Sequence, residues 1–372
     1  MFLRTPWLVP LLLVIIAALS FVIVQRNAAQ PSNPSASSNQ TSNSSSGYTA
    51  SPTSSTTSST PASSNSASST PASSTPASNR RQVNEDFLLI RGHFVVIGKS
   101  PDGDSVRFVP DNAELLKQLK NSYRIRTSRD GSVQLRFEAI DAPELHFGNA
   151  EQPLGVKARD VLLKLMGFTR VAFTTNQTAT SSTPERVRGA ILSQAAEGNG
   201  LPISYVLLEA SAKGQSDGSR VKLDDGLLRK TMNDAMLRNG LAYYTVYSST
   251  PLAQREYFKA VTLEAKGKKL GVWAMDKTPA FTLETQADVD VNGQLILPKL
   301  FRRVTSYLQD LGKSKFSGNL KAWLIASRDT KVPQDDLVDV AGKRQNLSDM
   351  MTISGSRVQF AGDALEMVFV EK

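Results

Sequence analysis

Between Pro31 and Asn79 the chain is built from Ser, Thr, Ala, Pro and Asn: Ser and Thr fill 29 of 49 positions, and Ser-Ser-Thr-Pro-Ala recurs at 58–62 and 68–72. Such a segment has too little apolar surface to offset the entropy of ordering it. It predicts a disordered tether over residues 27–79, with an end-to-end distance of roughly 40 Å as a flexible chain. Any folded unit is thereby confined to residues 80–372. Ahead of the tether, Trp7–Val24 is an apolar run of 18 residues broken only by Pro10 and Ser20, close to the span of a bilayer core. Its one small-x-small triplet, Ala18-Leu19-Ser20, lies inside the run, so residues 1–26 are expected to be an uncleaved signal anchor or transmembrane helix. Stalks of this composition are commonly extracytoplasmic. The expected arrangement is therefore membrane-anchored, with the folded part at the cell surface or in the periplasm, or secreted if the N-terminal segment is cleaved.

The chain has no cysteine and only His93 and His146 as imidazoles. Disulfide frameworks, thiolate nucleophiles, Cys-ligated zinc and three-His zinc sites are excluded, which leaves hard-metal chemistry through carboxylates. Charge is uneven, because Arg4 and Arg26 are the only charged side chains before residue 80, whereas 80–372 holds 41 basic against 34 acidic residues. The surplus favours an anionic partner such as nucleic acid.

Phe87–Gly98, Asp104–Val109 and Val133–Ile140 are rich in Val, Ile and Phe and bounded by turn residues, which predicts strands. Gly155–Met166 has helical amphipathic spacing; Val171–Thr174, Val187–Ser193 and Ile203–Leu208 read as short strands. Leu227–Asn239, stopped at Gly240, and Leu252–Lys269, opened by Pro251, read as helices. Strands followed by separate helices predict an α+β unit with a small closed barrel over residues 80–276. Residues 277–372 form an extra C-terminal α/β accessory region with a helix at Leu297–Leu311, strands at Arg357–Phe360 and Leu365–Glu371, and no chemical motif.

Two short acidic motifs could carry chemistry. Asp102-Gly103-Asp104-Ser105 is a turn between strands, and a hairpin turn alone would account for it. Arg136 leads along a strand into Ile140-Asp141-Ala142-Pro143-Glu144, where a turn and helix cap would again suffice. The alternative is that Asp104 and Asp141 supply hard oxygens to one divalent cation. Glu144 would then stand beside them as a base for water, and Arg136 would face phosphate charge with its fork of donors. The long connection Pro110–Ser132 holds a possible helix at Ala113–Asn121 and a basic cluster of Arg124, Arg126 and Arg129, which reads as a solvated loop ahead of a substrate-contacting one. Tyr243 and Tyr247 could stack on bases, although core or rim packing is at least as good a reading.

With these residues in order, the stretch from about Phe87 to Trp273 resembles the staphylococcal nuclease (thermonuclease) family. The likeness rests on the DGD-Ser turn, RFEAIDAPE, GVKARDVLLKLM, Met232–Ala242 and the helix that ends LGVW. It implies a five-stranded OB-like barrel with three helices and a calcium-dependent phosphodiesterase acting on DNA and RNA. It implies that Asp104, Asp141 and the Ala142 backbone carbonyl hold the calcium, that Glu144 is the general base and that Arg136 binds phosphate. The family's second arginine has two possible matches. In one register it is Arg188; in the other, which leads more directly into the Leu227–Asn239 helix, the position is Leu201. The expected function is a calcium-dependent extracytoplasmic nuclease. Its rival is a catalytically weak or inactive module of the same fold that binds nucleic acid or a protein partner at the cell surface.

Overall fold

The computed structural model describes residues 86–371. The predicted anchor and tether lie outside the described residues. Those described belong to one compact unit, Asn79–Lys372. Among them no helix is long and apolar enough to cross a membrane.

The chain enters as β1 (Phe87–Val95), β2 (Arg107–Pro110), β3 (Val133–Gln134), β4 (Arg136–Phe137) and β5 (Ile140–Asp141), followed by α1 (Gly155–Leu165). A hairpin, β6 (Thr169–Phe173) with β7 (Ala179–Thr183), leads to the long β8 (Arg186–Ala196), then β9 (Pro202–Leu208) and β10 (Arg220–Val221). The main sheet runs β3-β2-β1-β8-β9-β4, with β10 also paired to β1. Because its two ends, β3 and β4, are separated in sequence by Leu135 alone, one stretch of chain joins both edges and nearly closes the sheet into a barrel. Leu135 and Phe137 donate to Val106 and Asp104, while Glu138 donates across the seam to Ser204. Val133–Ile140, expected as one strand, is three short pieces. Ala139 bends it with a φ of 66°, which turns Ile140 and Asp141 towards a different partner, the short strand Tyr243–Tyr244.

Curvature depends on two glycines that face each other, Gly92 and Gly189. A Cβ on Gly92 would stand 2.7 Å from the Phe108 ring, and one on Gly189 would stand 2.6 Å from the Phe94 ring. These bare backbones let the two rings fold over the strands, 5.2 Å apart between centroids. Phe87, Leu89, Ile90, Phe94, Phe108 and Leu192 belong to one buried cluster that covers both faces of the sheet, each contributing about 1.5–3 kcal/mol on burial.

Helices α2 (Asp225–Leu228) and α3 (Met232–Arg238) replace the single helix expected at Leu227–Asn239. The cause is local: Thr231 leaves helical geometry and its side chain accepts from the Asp234 N–H, starting α3 afresh. Next come β11 (Tyr243–Tyr244), β12 (Val246–Tyr247), α4 (Leu252–Gly267) and α5 (Val272–Met275). The basic loop Pro110–Ser132 holds only short 3-10 turns, at Ala113–Gln118 and Ser122–Arg124.

The C-terminal region contributes β13 (Ala280–Thr282), α6 (Pro298–Gly312), α7 (Leu320–Ser327), β14 (Leu337–Val340), β15 (Lys343–Asn346), β16 (Met351–Ser354), β17 (Arg357–Phe360) and β18 (Met367–Phe369). It has a second core around Leu300, Phe301, Val304 and Leu324, to which the barrel side lends Ala150, Tyr243 and Val272. β18 returns to pair in parallel with β12. The two parts are therefore joined by a shared core and a shared ladder.

Candidate active site

The acidic motifs meet beside the barrel seam. Gly103 carries the first turn past the second: a Cβ there would lie 2.6 Å from the Ala142 Cβ and 2.8 Å from that of Ala158 on α1. Only a glycine allows so close an approach. At this contact Asp104 Oδ2 accepts from the Ala142 N–H at 3.3 Å. Asp141, at the end of β5, is buried at 1% exposure, and Arg136 on β4 places Nη2 3.8 Å from its Oδ1.

Glu144 is positioned through Gln152. The Glu144 N–H donates to Gln152 Oε1 at 3.1 Å, and Gln152 N–H donates back to the Glu144 carbonyl at 2.7 Å. The Gln152 amide in turn donates to the Ile296 carbonyl, just ahead of α6, at 2.7 Å. Thus Asp104, Arg136, Asp141 and Glu144, separated in sequence, are brought to one place with the C-terminal region as its far wall.

That wall contributes a residue the sequence did not single out. Arg302, on α6, bonds Asp141 through both terminal nitrogens: Nη1 lies 3.1 Å from Oδ1 and Nη2 lies 2.7 Å from Oδ2. Its Nη1 also donates to Glu144 Oε1. The only trace in the sequence is an Arg-Arg pair inside the helix predicted at Leu297–Leu311. There Phe301 and Val304 are buried, so helical geometry leaves Arg302 on the border of the apolar face.

The electrostatics separate the carboxylates. Burial works to raise the Asp141 pKa, but Arg302 and Arg136 outweigh it and hold the carboxyl below its ordinary range. Burial raises Asp104 to about 6, with repulsion from Asp141 adding to it and Arg136 opposing. Burial likewise raises Glu144 to about 7 against the pull of Arg302. Asp102 is pushed well up by burial and by the charges of Asp104 and Glu144. Burial, which disfavours charge, is thus the main cause of the upward shifts at Asp102, Asp104 and Glu144, and only Asp141 is held down by its arginines.

Calcium takes hard oxygens, and the carboxylates of Asp104 and Asp141 with the Ala142 carbonyl are such donors. Against this, Asp141 has both oxygens engaged by Arg302. Among the described residues no three His, Cys, Asp or Glu side chains are arranged as a ligand set. The donors match calcium in chemistry, and a cation on Asp141 would have to displace Arg302.

The remaining candidates fall elsewhere or at the rim. Arg188 lies on β8 opposite His93, bonded to Asp111 at 2.8 Å with Glu209 at 3.9 Å, apart from the carboxylates. Tyr243 is in the second core, its hydroxyl donating to Asp276 at 3.0 Å and its ring edge-on to Trp273; it has no open face for a base. Tyr247 is half-buried, with Phe369 and Lys299 over its ring. Its hydroxyl accepts from Lys299 Nζ at 3.0 Å. Burial would raise that phenol, but Lys299 and Arg136 outweigh it and lower its pKa.

Residues 134–275 match the family model of the staphylococcal nuclease homologues. The match starts in β3 and ends with α5, so it covers Arg136, Asp141 and Glu144 but neither the Asp104 turn nor Arg302. A domain of this kind is a nuclease-type module, and the family is generally one of phosphodiesterases. No curated protein matches the chain.

Proposed function

We propose that this chain is a calcium-dependent nuclease that hydrolyses phosphodiester bonds of DNA or RNA, held outside the cytoplasm by its N-terminal anchor and tether. The observation that carries the reading is the meeting of Asp104 with Arg136, Asp141 and Glu144 of the segment that matches the staphylococcal nuclease homologues. Asp104 and Asp141, with the Ala142 carbonyl, would hold calcium, which supplies charge to offset the phosphate. Arg136 binds a phosphate oxygen through its guanidinium. Glu144, its backbone fixed by Gln152, accepts the proton of the attacking water. The surplus of basic residues in 80–372 attracts the polyanion, and the apolar Trp7–Val24 run with its stalk supports the extracytoplasmic placement.

Full-length protein incubated with single- and double-stranded DNA and with RNA, in calcium and then in excess chelator, tests this. Cleavage that needs calcium and is nearly abolished in Asp104→Ala and Asp141→Ala is the expected result. Equal cleavage in chelator would refute the metal mechanism, and binding without cleavage would favour the non-catalytic module.

A further inference from the structure

Two guanidiniums converge on one carboxylate oxygen. Arg302 Nη1 lies 3.1 Å from Asp141 Oδ1 and Arg136 Nη2 lies 3.8 Å from the same atom. The Arg302 and Arg136 side chains are 17% and 26% exposed, so both reach the surface at this point. Arg302 is firmly delivered. Phe301 and Val304, its near neighbours on α6, are fully buried, Lys299 one turn earlier is bonded to Tyr247, and Ile296 is tied to Gln152 behind Glu144. The Arg302 fork on Asp141 is the two-bond geometry in which a guanidinium also takes two oxygens of a phosphate.

We infer that Arg302 is a second phosphate-binding arginine of the nuclease site, supplied from the C-terminal region, which swings from Asp141 to the scissile phosphodiester when substrate and calcium enter. The inference rests on the nuclease reading. Charge develops on the non-bridging oxygens of phosphorus during hydrolysis and is best met by more than one fixed donor. Within the barrel, Arg136 is the one candidate arginine beside the carboxylates: Arg188 is engaged with Asp111, and position 201 is a leucine. Asp141 has both oxygens engaged by Arg302, so were a cation held there the guanidinium would be free to take a phosphate oxygen. Arg302 forms no covalent bond and transfers no proton. Water oxygen bonds to phosphorus as the bond to the leaving oxygen breaks, the proton of that water goes to Glu144, and the leaving oxygen takes a proton from solvent.

The test uses the full-length chain in calcium. Arg302→Ala should slow cleavage of single-stranded DNA by roughly 10²–10³-fold, the loss typical of removing one preorganised donor. Arg302→Lys should recover little, lacking the fork, and added methylguanidinium should restore part of the Arg302→Ala rate. A rate equal to or above that of the unsubstituted chain, reached at lower calcium, would overturn the proposal and make Arg302 a plug on the cation site. A loss that methylguanidinium does not restore would overturn it in favour of a structural role. If the unsubstituted chain cleaves nothing in calcium, the nuclease reading fails separately, and oligonucleotide binding decides for Arg302. A salt dependence shallower by about one phosphate contact in Arg302→Ala upholds the phosphate contact, and an unchanged slope refutes it.

Discussion

The barrel and the C-terminal region meet at the same site but bring different things to it. The barrel supplies carboxylates from short, local motifs: a Gly-centred turn for Asp104 and a strand end beside a proline for Asp141 and Glu144. The C-terminal region supplies one cation from the middle of a helix, more than 150 residues away in sequence. A motif can be read from its neighbours along the chain, whereas the role of Arg302 exists only through packing. The carboxylates and Arg302 arrive from separate regions, and the shared second core and the β12–β18 ladder are what bring them together.

The largest effect that sharpens this contrast should come from Asp141. Asp141→Ala removes the carboxylate that both arginines share and leaves two half-buried guanidiniums without it, which should cost about 3–5 kcal/mol in denaturant unfolding as well as activity. Asp104→Asn should do the opposite to stability while still removing activity. Burial opposes the Asp104 charge and Asp141 repels it, against the pull of Arg136, so losing that charge without calcium present should stabilise the fold by about 1 kcal/mol, near the worth of one pKa unit. Destabilisation by Asp104→Asn of the same size as by Asp141→Ala would erase the distinction between the two carboxylates.

Phe301→Ala addresses the helix itself. The side chain is fully buried next to Arg302, and its loss should lower stability by about 3–5 kcal/mol in a single unfolding transition. Two separate transitions would show that the C-terminal region folds apart from the barrel. At the small end, Arg188→Ala should leave turnover nearly unchanged and cost less than about 1 kcal/mol, as for an exposed ion pair. A steep loss of turnover would place the second arginine in the barrel after all.

Much of the barrel was legible because Val, Ile and Phe runs and helical spacing are local signals. Gly155–Met166 and Leu252–Lys269 correspond to α1 and α4 almost to the residue, and Leu297–Leu311 corresponds to α6. The failures have identifiable causes. Ala139 in the left-handed region broke the Val133–Ile140 strand, and the Thr231 cap split a helix that apolar spacing made look continuous. Tyr243 and Tyr247 follow each other along a strand-like segment, and only the arrival of Asp276, Lys299 and Phe369 decides that neither offers an open ring face. Arg302 had no motif to announce it, since its partners belong to another part of the chain.

The central claim is that the two regions form one catalytic unit, and a double-mutant cycle on Glu144 and Arg302 tests it directly. Turnover on single-stranded DNA in calcium would be measured for Glu144→Gln, Arg302→Ala and the pair together. Residues that act as a unit lose most of their effect with the first substitution. The double variant should therefore cleave within about threefold of the slower single variant. A double variant slowed by the full product of the two single effects would contradict the account, because it would show that Glu144 and Arg302 act independently.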